Sequence, residues 1–114
     1  MPVTAATFRR LALGLPEASE GAHMGHPDFR VRNKIFASLA VPDKAWGTVK
    51  LAPEQQEVLL AAEPAGFRPA AGAWGRRGWT QVHLASVDAA TLESALRMAW
   101  RNTAPARLLT NTTR

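Results

Sequence analysis

Residues 73–86 read AWGRRGWTQVHLAS, and within them Trp74-Gly75-Arg76-Arg77-Gly78-Trp79 sets two adjacent guanidinium groups between two indoles. Guanidinium groups match phosphate oxygens in a two-pronged fork, and indoles stack on the faces of bases. Together they point to a polyanion that carries flat rings. Five further cations, Arg30, Arg32, Lys34, Lys50 and Arg68, fall on or beside the polar faces and turns of expected strands. Aligned as one strip, they would draw a polyanion by releasing its counterions, each neutralised phosphate adding almost one unit to the salt dependence. The plainer reading of the same residues is a solvated pair of arginines in a turn and ordinary solubilising cations on a polar strand face. Tryptophans beside a glycine-rich turn commonly anchor a core, and that reading suits Trp46, Trp79 and Trp100. Trp74 stays open between the two.

Other chemistries find less in the chain. His23 and His26 make an H-x2-H spacing and His83 stands apart, but there is no cysteine and no acidic ligand at matching distance, so no metal site is expected. Residues 72–78 lack the lysine of a phosphate-cradling loop, and no serine sits in a nucleophile elbow. Most carboxylates lie at expected helix starts and turns, where the helix dipole and turn chemistry place them. The expectation is a protein without catalytic residues, metal or cofactor.

A chain of 114 residues that is 46% hydrophobic is long enough for one modest core. No apolar run approaches the roughly 18 residues of a membrane span, so no membrane association is expected. The N-terminal segment, broken by Arg9 and Arg10, reads as a helix and not as an export signal. With no cysteines, the expected compartment is the cytoplasm. The net charge of +5 comes from 14 basic and 9 acidic residues, unevenly spread. Residues 64–87 hold Arg68, Arg76 and Arg77 and no acid, and residues 29–50 set five cations against Asp43 alone. Two basic segments therefore flank an acidic helix.

Hydrophobic periodicity supplies the elements. Residues 4–15 fit a helix capped by Thr4, with Phe8, Leu11, Ala12 and Leu15 on one side and a stop at Gly14 and Pro16. From Gly21 to Leu51 the period falls to two, with turn signals at Gly25-His26-Pro27, near Asn33 and at Pro42-Asp43-Lys44: an antiparallel meander. A three-residue loop at Arg32-Asn33-Lys34 puts Phe29, Val31, Ile35, Ala37 and Leu39 on one face and Arg30, Phe36 and Ser38 on the other. A two-residue loop at 33 and 34 would mix arginines with aliphatics. Val49 and Leu51 oppose Trp46, Thr48 and Lys50 in the next strand. A second helix opens at Pro53 with Val58, Leu59 and Ala62 as its stripe. After an extended GFRPA and the quoted loop, Trp79, Gln81 and His83 alternate with Thr80, Val82 and Leu84. Asp88 caps a last helix with Leu92, Ala95, Leu96, Ala99, Trp100 and Thr103 inward, ending by Pro105. Strands clustered between helices favour an α+β domain, an antiparallel sheet packed with about three helices in the order α-β-β-β-β-α-β-β-α. The expected domain is residues 1–105, with 106–114 a flexible C-terminal tail.

In order, LPEASEGAHMGHPDFRVRNKIFASL, WGTVKLAPEQQEVLL, GFRPAAGAWGRRGWTQVHL and a helix ending AWRNTAP resemble the MmcQ/YjbR family of small bacterial proteins over almost the whole chain. Phe29-Arg30-Val31, Lys34-Ile35-Phe36-Ala37, Lys50-Leu51 and Gly78-Trp79 carry most of the resemblance. It implies an α+β fold described as a double-wing DNA-binding arrangement, with two β-hairpin projections as wings. By position these are the hairpin at Arg32-Asn33-Lys34 and the loop from Trp74 to Trp79. The resemblance implies no catalytic or base-reading residue. The functional expectation is a cytoplasmic, non-enzymatic protein holding the DNA backbone with low sequence specificity, through Arg30, Arg32, Lys34, Lys50, Arg68, Trp74, Arg76 and Arg77. The alternative is a small module that binds a ligand, a protein partner or a second copy through the sheet face and the aromatic loop.

Overall fold

The computed structural model describes residues 3–112, with side chains placed through residue 109. Helix α1 (Ala5–Leu13) starts where the Thr4 hydroxyl accepts a hydrogen bond from the Thr7 amide. Four antiparallel strands follow: β1 (Ala18–His23), β2 (His26–Val31), β3 (Lys34–Leu39) and β4 (Trp46–Lys50). Then come α2 (Pro53–Ala62), β5 (Phe67–Pro69), the short α3 (Gly72–Arg76) and β6 (Trp79–His83). A turn of 3-10 helix at Leu84–Ser86 leads into α4 (Ala89–Thr103) and α5 (Ala106–Thr112). All six strands form one antiparallel sheet in the order β1-β2-β3-β4-β6-β5.

One face of the sheet carries the core. Phe29, Val31, Ala37, Val49 and Val82 point at α1 and α4, and all five are fully buried, as are Phe8 of α1 and Leu92, Ala95, Leu96 and Ala99 of α4. Large apolar side chains contribute roughly 1.5–3 kcal/mol each when withdrawn from water, so this layer dominates stability. Trp100 joins it and donates its indole N–H to the Pro16 carbonyl at 2.9 Å, tying α4 to the end of α1. The six residues assigned to the inner side of the last helix are all buried, and Asp88 caps it by accepting from the Thr91 amide.

Four expectations are corrected. The β2–β3 hairpin turns on two residues, Arg32 and Asn33, with φ of 51° and 68°, and Val31 pairs with Lys34. Positive φ at both turn positions gives the twist that suits a tight hairpin. A bulge then follows, since Arg30 pairs with Ile35 but Phe29 with Ala37. The extra residue turns Phe36 into the core, where it is fully buried, and leaves Ile35 on the opposite face. In α2, Val58 is exposed and Gln56 is buried instead, its amide nitrogen 3.1 Å from the Gly75 carbonyl, the Trp79 carbonyl and the Thr80 hydroxyl. Trp74 to Arg76, expected as part of a loop, belong to the short helix α3. Residues 106–112, expected as flexible tail, form α5, with Leu108 buried in the core. Residues 113–114 of that expectation lie outside the described residues.

Candidate functional site

The alternation of a strand sends every second side chain to the face away from α1 and α4. Cross-strand pairing lines these residues up: Asp28, Ser38, Thr48, Gln81 and Arg68 form one row across five strands. Trp46 pairs with His83 on one side of that row, and Lys50 with Trp79 on the other. This second face is not flat. Ser38, Thr48 and Gln81 are each more than nine-tenths buried, as the floor of a trough of about 610 Å³. Its walls include Trp74, Trp79, Met24, Ile35, Val41 and Pro42, with His23 at one end. A volume of this size lies within the roughly 300–1,000 Å³ of small-molecule sites.

Three cations contact lining residues of the trough: Lys50 at Trp79, Arg77 at Trp74 and Arg68 at Gln81. The Arg68 guanidinium lies 3.8 Å from the centre of the Trp46 ring and donates from Nε to the Gln81 side-chain oxygen at 2.7 Å. The Lys50 ammonium is 5.9 Å from the Trp79 ring, the Arg77 guanidinium 5.8 Å from the Trp74 ring, and the two indoles meet edge to face at 6.0 Å. Cations over indoles are held by the ring quadrupole and keep their charge available. Trp74 is 59% exposed, which resolves it as a surface aromatic. Trp46 and Trp79, expected as core, are half-buried members of this face, and only Trp100 lies in the core.

Of the eight residues singled out from the sequence, Lys50, Arg68, Trp74 and Arg77 gather at the trough, with Arg76 on the last turn of α3 beside them. Among the described residues none of these four cations lies within ion-pairing distance of a carboxylate. Lys34 is likewise without a carboxylate partner, exposed beside the hairpin tip. The first hairpin behaves differently. Arg30 donates from two nitrogens to the buried Asp28 carboxylate at 2.7 and 3.0 Å, and Arg32 donates likewise to Glu17 at 2.6 and 3.2 Å. The Arg30 guanidinium, then the His23 ring at 2.8 Å, holds the Asp28 carboxyl below its ordinary range, although burial pushes the other way. Arg32 does the same to Glu17. Their charges are spent within the fold.

Sequence reasoning missed the floor of the trough and its His23 end. Ser38 and Gln81 reach it by alternation, but Ile35 gets there only through the bulge, which no residue type announces. His23 and Asp28 are brought together by the tight turn at Met24 and Gly25, where His23 pairs with His26. Among the described residues no three His, Asp or Glu side chains cluster as a metal site. No helix of the described residues is long and apolar enough to cross a membrane.

An α+β domain with a six-stranded antiparallel sheet, α1 and α4 on one face and an aromatic, cation-bordered trough walled in part by α3 on the other, defines the class. The family model for YjbR matches residues 13–102, and the chain belongs to that family, the MmcQ/YjbR family. The crystal structure of Deinococcus radiodurans protein DR2400, whose family-model domain is DUF419, is similar at a TM-score of 0.72 and 23% identity, over 86% of this chain and 76% of that one. That likeness bears on the fold. No curated protein matches.

Proposed function

We propose that this is a non-enzymatic, cytoplasmic DNA-binding protein that grips the phosphate backbone with low sequence specificity. The observation that carries the reading is the gathering of Lys50, Arg68, Arg76 and Arg77 around one surface, none of them neutralised by a carboxylate among the described residues. A DNA phosphate would take the place of the missing anion, and the released counterions would drive association. The reading puts the contact on the Lys50, Arg68 and α3 side and not on two straddling hairpins. Arg30 and Arg32 already have their anions, and the second projection is a short helix.

Fluorescence anisotropy of a labelled duplex across a salt series tests this. Replacing Lys50, Arg76 and Arg77 together by alanine should weaken binding and lower the salt slope by about 2–3 units, since each phosphate contact accounts for roughly 0.9. Arg32→Ala should leave the slope almost unchanged. Absence of salt-dependent binding at roughly 100 μM protein, the weak end of ordinary nonspecific affinity, would sink the reading.

The alternative, a module that binds a ligand or protein through the sheet face, is favoured by one observation: the exposed Trp74 borders a trough with a largely apolar wall. It predicts binding that survives high salt.

A further inference from the structure

We infer that the trough receives a single unpaired nucleobase, so that the protein prefers single-stranded nucleic acid over duplex. The inference rests on the backbone-contact reading above and adds to it what lies between the phosphates.

The floor of the trough holds polar atoms that have no protein partner and stay open to the trough, none of them sealed from it. Arg68 donates to the Gln81 side-chain oxygen, which fixes the amide and leaves its NH2 group without a protein acceptor among the described residues. The Ser38 hydroxyl, on a residue 94% buried by its 6% exposure, likewise has no hydrogen-bond partner among them. The His23 ring is held through Nδ1 against the Asp28 carboxylate at 2.8 Å, which leaves Nε2 as its nitrogen open to a ligand. Thr48 is different, because its hydroxyl is already donated to the Val41 carbonyl. An amide donor, a hydroxyl that both gives and accepts, and an imidazole nitrogen complement the mixed polar edge of a base. A hydrocarbon ligand would leave all three without partners, and that carries a cost.

The walls and border complete the match. Trp74 and Trp79 offer indole surface to a flat ring, and base–aromatic stacking is indifferent to base identity because every base has a π-face. Lys50 and Arg77 sit against those same two indoles, so a strand whose base enters the trough would lay its flanking phosphates on them. In a duplex the polar edges of the bases are paired and their faces stacked, and reaching a sunken floor would require extrusion of the base.

Three labelled probes of equal length separate the steps: a single strand, a strand of the same charge with abasic sites throughout, and, as reference, the duplex with its doubled charge. The intact strand should bind the full-length protein roughly five- to 150-fold more tightly than the abasic strand, the range expected for one stacked base. That preference should collapse in Trp74→Ala, an exposed position that leaves the core untouched, and fall in Ser38→Ala, while the salt slope stays the same. Equal affinity for intact and abasic strands, with a steep salt slope, would overturn the base pocket and leave the backbone contact standing. No binding of any probe would overturn both.

Discussion

Gly78→Ala should lower stability by about 3–5 kcal/mol, the largest effect expected of any single methyl group added to this chain. Gly78 has a φ of +108°, outside the regions open to residues with a Cβ. A Cβ built there would stand 2.0 Å from the Leu51 carbonyl oxygen and 3.0 Å from the Ala52 carbonyl carbon. Both obstacles are backbone, so no rotamer change relieves them. The Gly78 carbonyl accepts from the Leu51 amide and from the Thr80 hydroxyl, and its amide donates to Gly75. One residue thus seats the end of α3, the start of β6 and the approach to α2 together. Urea unfolding followed by circular dichroism gives the loss directly, and a change under 1 kcal/mol would contradict the geometry. Because α3 and its C-cap carry Trp74, Arg76 and Arg77, the variant should also lose affinity for strands under conditions where it is still folded.

The elements were legible wherever one periodicity ran without interruption. The α4 face could be read residue by residue because six apolar or small side chains repeat at helical spacing behind an Asp88 cap. Strand β6 was equally clear, with Val82 inward and Gln81 outward. The reading failed where a single residue breaks the period. The bulge at Phe29/Arg30 exchanges the faces of Ile35 and Phe36, and hydrophobicity cannot distinguish them because both are apolar. Gln56 lies off the apolar stripe that Val58 marks, and its burial depends on three acceptors from α3 and β6, which no local pattern contains.

For the site, residue types indicated the chemistry and tertiary contacts decided which residues could perform it. Arg30, Arg32, Arg76 and Arg77 look alike in sequence. Glu17 lies 15 residues from Arg32, and only the pairing of β1 with β2 brings them together to cancel that charge. No comparable acid reaches Arg76 or Arg77 among the described residues, in keeping with the acid-free run from 64 to 87. An acid-poor run is no guarantee by itself, because Asp28 and Glu17 reach Arg30 and Arg32 from outside the acid-poor run 29–50. The trough itself could not be foreseen, since it depends on α3 and the Val41-Pro42 segment standing above the sheet.

Asp28→Asn should cost about 2–4 kcal/mol at neutral pH, because it removes a fully buried carboxylate that accepts from Arg30 and His23 and leaves their donors facing an amide. The dependence on pH follows from the depressed Asp28 carboxyl. The unfolded chain takes up the proton near the ordinary aspartate value of about 3.9, the folded protein only at lower pH. The stabilisation from this group is therefore complete above about pH 4 and disappears as pH falls through the folded value. Wild type should lose stability over that acid range more steeply than the variant, and the gap between them should narrow as pH drops. A gap that stays constant from neutral to acid pH would show that the loss arises from packing and not from the charge. The substitution has a second consequence, because it gives Arg30 back its uncompensated charge on the trough face of the sheet. If phosphates are the ligand, the variant's salt slope should steepen by up to about one unit even as its stability falls, and those opposite signs separate the role of Asp28 in the fold from its restraint on the binding surface.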